Sequence, residues 1–176
     1  MTGNPNALLR TVHGSHLYGL AHAGSDLDTY TVIATGHRAR QTISGDQDTL
    51  VIPIGAFLLQ AGSGVPQALE AMFSPIAEPG PLDALRHGFR PDTAASAHRY
   101  RRTITSFAAG TLKQRRHALR LATNLTDLLT YGWFSPRLSP ALADELTAAA
   151  ALPDEDYFAD LAARCPVPLD ALPTGA

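Results

Sequence analysis

A β-branched run headed by two aspartates constrains this chain most: Asp26-Leu27-Asp28-Thr29-Tyr30-Thr31-Val32-Ile33-Ala34. Residues of this kind favour a pleated, half-buried strand. On a strand, positions i and i+2 share a face, so Asp26 and Asp28 point the same way and can hold a divalent metal between them. Upstream lies Val12-His13-Gly14-Ser15-His16-Leu17-Tyr18-Gly19-Leu20. A small Gly-Ser turn lets a polyphosphate approach the backbone. Metal-holding carboxylates and a phosphate-accepting turn are the parts a nucleotidyl-transfer site needs.

The neighbouring segments extend this pattern. Leu8–His13 reads as a short strand, Ser15 as the cap of a helix over His16–Leu20, and Thr35–Gln47 as a polar loop. Asp48-Thr49-Leu50-Val51-Ile52 reads as the next strand. Strands adjacent in sequence most often pair, which brings Asp48 toward Asp26 and Asp28. Three such carboxylates suit two Mg²⁺ (or Mn²⁺) ions about 4 Å apart, which neutralise a triphosphate and activate an attacking hydroxyl. Asp26 and Asp28 are then the ligands, while Asp48 completes the second metal site or accepts the hydroxyl proton. His13, His16 and His22 offer a rival transition-metal site with the aspartates. Their spacing lacks a tight ligand motif, and no cysteine helps.

After Asp48 the pattern turns helical. Pro53 opens a helix through Phe57, Leu58 and Ala61, and Pro66 opens another through Leu69, Met72 and Phe73. Residues 75–91 are rich in proline and glycine and read as a hinge or linker. Thr93–Ala109, Thr111–Tyr131, Pro140–Ala151 and Asp154–Arg164 read as helices, followed by an irregular tail over 166–176. The expected fold is α/β (α+β): a mixed-sheet core over 1–75, a linker over 76–91 and a helical region over 92–176. Phe57, Trp133 and Phe134 are expected in the core, Tyr157 and Phe158 are expected to dock the last helix, and Glu70 is expected beside one of the basic residues.

Charge and composition narrow the function classes. A net charge of -2 argues against a protein that coats nucleic acid through overall basicity. One cysteine, Cys165, permits no internal disulfide and points to a reducing interior. No apolar run approaches the roughly 20 residues of a membrane span, so a cytoplasmic protein without membrane association is expected. Seven of the 14 basic residues fall between Arg99 and Arg120, and Lys113 is the chain's only lysine. On a helix Lys113, His117 and Arg120 share one face, at i, i+4 and i+7. A basic face opposite an acidic metal site suits a triphosphate: Lys113 and Arg120 on the β- and γ-phosphates, His117 on phosphate or base. Tyr18 either packs on the Gly-Ser turn or lies near the nucleotide.

Gly14-Ser15, Asp26-x-Asp28 and Asp48 together resemble the nucleotidyltransferases of the DNA polymerase β superfamily. The fuller string Gly-Ser-His-Leu-Tyr-Gly … Ser-Asp-Leu-Asp is similar to a family of predicted nucleotidyltransferases found beside RNA-repair ligases and often encoded by phages. That family's helical Gly-Asn-Pro and Leu-Glu correspond to Gly64-Val65-Pro66 and Leu69-Glu70, with Val65 in place of asparagine. Its Lys-x-x-x-His-x-x-Arg-Leu corresponds to Lys113, His117, Arg120 and Leu121, and the likeness continues through Leu128–Gly132. The resemblance implies Mg²⁺-dependent transfer of a nucleoside monophosphate from an NTP (ATP among them) to an acceptor hydroxyl, with an RNA or DNA end favoured. A nucleotide- or nucleic-acid-binding module without catalysis is the alternative, and a structural subunit of a repair or phage complex is a third.

Overall fold

The computed structural model describes residues 6–36, 38–45 and 47–169. In chain order the elements are β1 (Ala7–His13), α1 (Gly14–Tyr18), β2 (Leu27–Ile33), β3 (Arg40–Ser44) and β4 (Gln47–Pro53). Helices follow: α2 (Ile54–Gly62), α3 (Pro66–Met72), α4 (Asp83–Gly88), α5 (Thr93–Ala108), α6 (Leu112–Tyr131), α7 (Pro140–Ala150) and α8 (Asp154–Arg164). The fold is therefore mixed α/β, a four-stranded sheet with helices followed by a helical region. No helix among the described residues is long and apolar enough to cross a membrane.

The sheet order is β1-β2-β4-β3, with β2 and β4 parallel and the outer pairs antiparallel. Alternation fixes the inner face. Leu9, Tyr30, Val32 and Ile52 are buried against the helices, and Tyr30 packs on Phe57 of α2. The segment expected to be a polar loop contains β3. Its residues, Arg40-Gln41-Thr42-Ile43-Ser44, are all exposed at the sheet's outer edge, so no apolar alternation marks them in the sequence.

The stretch expected to be a hinge is pinned down along the other edge. Backbone amides of Glu78 and Leu82 donate to the carbonyls of Arg10 and Leu8, at 2.8 and 3.4 Å, and so occupy the free side of β1. Thr11 and Ser74 hydroxyls bond at 2.6 Å behind the strand. Arg86 of α4 donates to the carbonyls of Met72 and Ser74, locking this segment to the end of α3.

Helix α6 is the axis of the second half. Its start is fixed by a capping box between Thr111 and Gln114, and Gly132 ends it in the left-handed region at φ 77°. Ala118, Leu119, Leu121, Ala122, Leu125 and Leu128 are fully buried. Such all-round burial marks a central helix. Helix α5 adds Tyr100, Ile104 and Ala108 to the same core, α7 adds Leu146, and α8 adds Tyr157 and Leu161. Phe57, Phe134 and Tyr157 are buried as expected, but Trp133 is 51% exposed. Gly64, at φ 76°, lets the α2–α3 turn lie directly on Ser96 of α5, where any Cβ would collide. The tail beyond Leu169 lies outside the described residues.

Candidate active site

The carboxylates meet through strand register. Asp28 of β2 is paired with Asp48 of β4 and, on its other side, with His13 of β1. Three adjacent strands thus carry His13, Asp28 and Asp48 in one row on the helix-facing side. A cavity of about 350 Å³ opens over this row, bounded also by Gln41, Gln60 and Gln67 above an apolar floor of Leu50 and Ile52. Gln41 donates to Asp48 Oδ2 at 2.6 Å, while Asp48 Oδ1 is buried without a hydrogen-bond partner among the described residues. The Asp28 carboxyl is pushed above its ordinary range. Burial is the main cause; Asp48 and Asp26 add to it, and His13 and Lys113 oppose it.

Gly14 explains how the Gly-Ser turn reaches this row. It follows His13 directly and takes φ 60°, and any Cβ there would strike Asp28 Oδ2. Only glycine brings the backbone so close to the carboxylate. Ser15 does not cap α1 as expected. The helix begins at Gly14 with His13 in the cap position and no side-chain cap. The half-exposed Ser15 hydroxyl makes no hydrogen bond among the described residues and lies in the first turn beside Asp28's strand.

Asp26 is exposed and precedes the first residue of β2. Among the described residues no three His, Cys, Asp or Glu side chains gather closely enough to hold a metal ion. A preformed set of Asp26, Asp28 and Asp48 is therefore not built, and neither is the rival histidine site. His16 reaches the Ser25 carbonyl at 3.4 Å, and His22 accepts from the Gly24 amide. What remains is a carboxylate pair with one orphaned oxygen and Asp26 within electrostatic reach. That donor set is all oxygen and suits Mg²⁺ or Mn²⁺, which bind through one or two carboxylates and take further ligands from substrate phosphates.

The basic face divides. Lys113 is exposed on the first turn of α6, near enough to draw Asp28's pKa down. Arg120 is 1% exposed and does not face the cavity as a phosphate ligand. Its guanidinium lies 2.8 Å from Glu70 Oε1 and 3.6 Å above the centre of the Tyr18 ring, and it bonds His117 Nδ1 at 3.0 Å. Tyr18, itself buried, donates to Glu70 Oε2 at 2.7 Å and so packs within this cluster. His117 stands edge-on to Phe107 at 4.7 Å and is pushed down to about 4, by burial first and then by Arg120. It is neutral at physiological pH. Arg115 and Arg116 turn away, to Asp154 and Thr147.

Glu70 is thus the centre of a buried hub. Burial alone would raise its carboxyl, but Arg120, then His13 and His117, hold it well below the usual carboxylate range. His13 Nε2 lies 3.0 Å from Glu70 Oε2. One imidazole therefore connects the hub to the carboxylate row. The sequence carries a signal for this hub: a lone acid inside Ala68-Leu69-Glu70-Ala71-Met72 requires a buried cation. No signal marks Gln41, Gln60 or Gln67, whose place depends on tertiary packing. No protein-family model matches the chain, and no curated protein matches it significantly.

Proposed function

We propose that this chain is a divalent-metal-dependent nucleotidyltransferase related to the DNA polymerase β superfamily. It would transfer a nucleoside monophosphate from an NTP to an acceptor hydroxyl, a nucleic-acid end in the favoured case, and release pyrophosphate. The observation that carries this reading is the register pairing of Asp28 with Asp48 beside the Gly14 backbone. When bound, Mg²⁺ would neutralise phosphate charge and polarise the reacting phosphoryl group. Asp28 and Asp48 would hold it, with Asp26 approaching once substrate is present. Asp48, whose Oδ1 has no hydrogen-bond partner among the described residues, would take the acceptor's proton.

The rest of the site suits an extended anionic substrate. Gly14 and the free Ser15 hydroxyl face phosphate, and Lys113 adds a mobile positive charge from α6. The neutral amides of Gln60 and Gln67 flank the cavity where a base or sugar would lie. Residues 1–75 would supply the metal-holding half and residues 92–176 the lysine. Asp26's exposed place before β2 favours one second reading, a module that binds nucleotide without catalysis.

Transfer from α-labelled NTPs in Mg²⁺ to RNA, DNA and lysate acceptors separates these readings. Labelled product with wild type, falling by at least about a hundredfold in Asp28→Ala, is expected. Equal product from both proteins contradicts the assignment, and NTP binding without any product supports the module.

A further inference from the structure

A second cleft, of about 500 Å³, opens between the end of α3, helix α4 and the end of α6. The proposed transfer reaction does not use it. Its volume falls in the ~300–1,000 Å³ span of small-ligand sites. Phe73, Pro75, Arg86, His87, Arg90 and Trp133 form most of its wall. The chain builds it at two helix ends. Ser74-Pro75 stops α3, and Gly132 turns the backbone after α6 so that Trp133 faces outward while Phe134 goes inside at 1% exposure. Phe73 packs edge-on against Phe134 at 5.2 Å and tilts against Phe89 at 6.3 Å, which makes a rigid aromatic base.

Two of the four charged or titratable side chains on this wall, Asp83 and Arg86, are committed to each other. Asp83 pairs with Arg86 at 2.9 Å, and Arg86 also donates to the Met72 and Ser74 carbonyls. That carboxylate is therefore neutralised by a fixed partner. Arg90 is exposed, and its guanidinium donates to the neighbouring Phe89 carbonyl at 2.7 Å. Its Cδ and Nε lie against Gly132, the residue before Trp133, where a Cβ would approach to 3.1 Å, and both side chains line the cleft. His87 is exposed on the same rim, with Nδ1 at 2.6 Å from the Asp83 carbonyl. An open indole and an available guanidinium together recognise a planar ring joined to an anion.

We propose that this cleft binds a nucleotide unit, with its base on Trp133 and its phosphate at Arg90 and His87. The site is separate from the carboxylate row and does not depend on the transfer reading. A free mononucleotide and an exposed unit of a single-stranded nucleic acid present the same chemistry.

Trp133 is the only tryptophan in the chain, so its fluorescence reports the cleft directly. The full chain is titrated with AMP, a short oligo(A) RNA and inorganic phosphate. Saturable quenching by nucleotide is expected, weakened about tenfold or more in Arg90→Gln and unchanged in Asp28→Asn. Anisotropy of labelled oligo(A) on Trp133→Leu should show the same loss without relying on the indole. About tenfold tighter binding of the strand, falling steeply with salt, identifies single-stranded nucleic acid as the source; equal affinity identifies the free nucleotide. No quenching by either nucleotide, equal quenching by phosphate, or undiminished binding in Arg90→Gln overturns the proposal. Quenching lost in Asp28→Asn overturns it too, because the nucleotide is then at the carboxylates. Wild type that transfers nothing yet binds AMP at Trp133 leaves this proposal standing and refutes only the transfer reading.

Discussion

Two acidic centres adjoin the end of β1, and they are built in opposite ways. Glu70 is 2% exposed and is enclosed by Arg120, Tyr18 and His13. Asp28 and Asp48 sit on the sheet a short step away, partly open, with one oxygen unpartnered. Their pKa shifts run in opposite directions: Glu70 is held down by its cations, whereas Asp28 is pushed up by burial and its acidic neighbours. An acid whose charge the protein itself satisfies is part of the framework. An acid left with its like-charged neighbour is available to a cation from outside. His13 contacts Glu70 and is the strand neighbour of Asp28, so the framework adjoins the row that faces the cavity.

The largest effect that sharpens this contrast is at the hub. Glu70→Ala or Arg120→Ala should cost about 3–5 kcal/mol in urea unfolding, because each strands a buried charge. Replacing both, as Glu70→Leu with Arg120→Met, should recover much of that loss. A single-variant cost near zero would show that the hub is not a buried ion pair.

Acid should separate the hub's components. The His117 pKa is lowered in the folded protein, to about 4. Between that value and the ordinary imidazole range the unfolded chain binds more protons, so stability falls as pH drops from about 6.5 to 4, by about 2 kcal/mol. Glu70, also depressed, contributes stability above its ordinary carboxylate range, and that contribution is lost only at lower pH. His117→Phe should flatten the first window and leave the second. An unchanged pH profile in that variant would remove His117 from the account.

Gly14→Ala should cost about 1–2 kcal/mol through its left-handed backbone, and should disturb Asp28 as well. The smallest stability change belongs to the open centre. Asp28→Asn should be neutral or stabilising by under about 1 kcal/mol at pH 7, since it relieves repulsion without breaking a structural ion pair. A large destabilisation there would place Asp28 in the framework after all.

The sequence makes some of this contrast legible and hides the rest. β-branched runs disclose β2 and β4, and with them the meeting of Asp28 and Asp48. The helical pattern discloses α6 and α8 to within a residue of their ends. Helical spacing puts Lys113, His117 and Arg120 on one face, but spacing does not say which parts of that face are inside. Burial of Arg120 follows from α6 being packed between α5, α7 and α8, with the acid that satisfies it arriving from α3. Trp133 is missed for a related reason: one left-handed glycine decides which of two adjacent aromatic rings goes inward. β3 is missed because an exposed edge strand needs no apolar pattern.

Calorimetric titration of Mg²⁺ and NTP into wild type and Asp28→Asn, both verified as folded, tests the central claim most directly. The account predicts Mg²⁺-dependent NTP binding to wild type that weakens by about tenfold or more in Asp28→Asn, with no matching loss of stability. NTP binding that is independent of Mg²⁺, or identical in the two proteins, would contradict it.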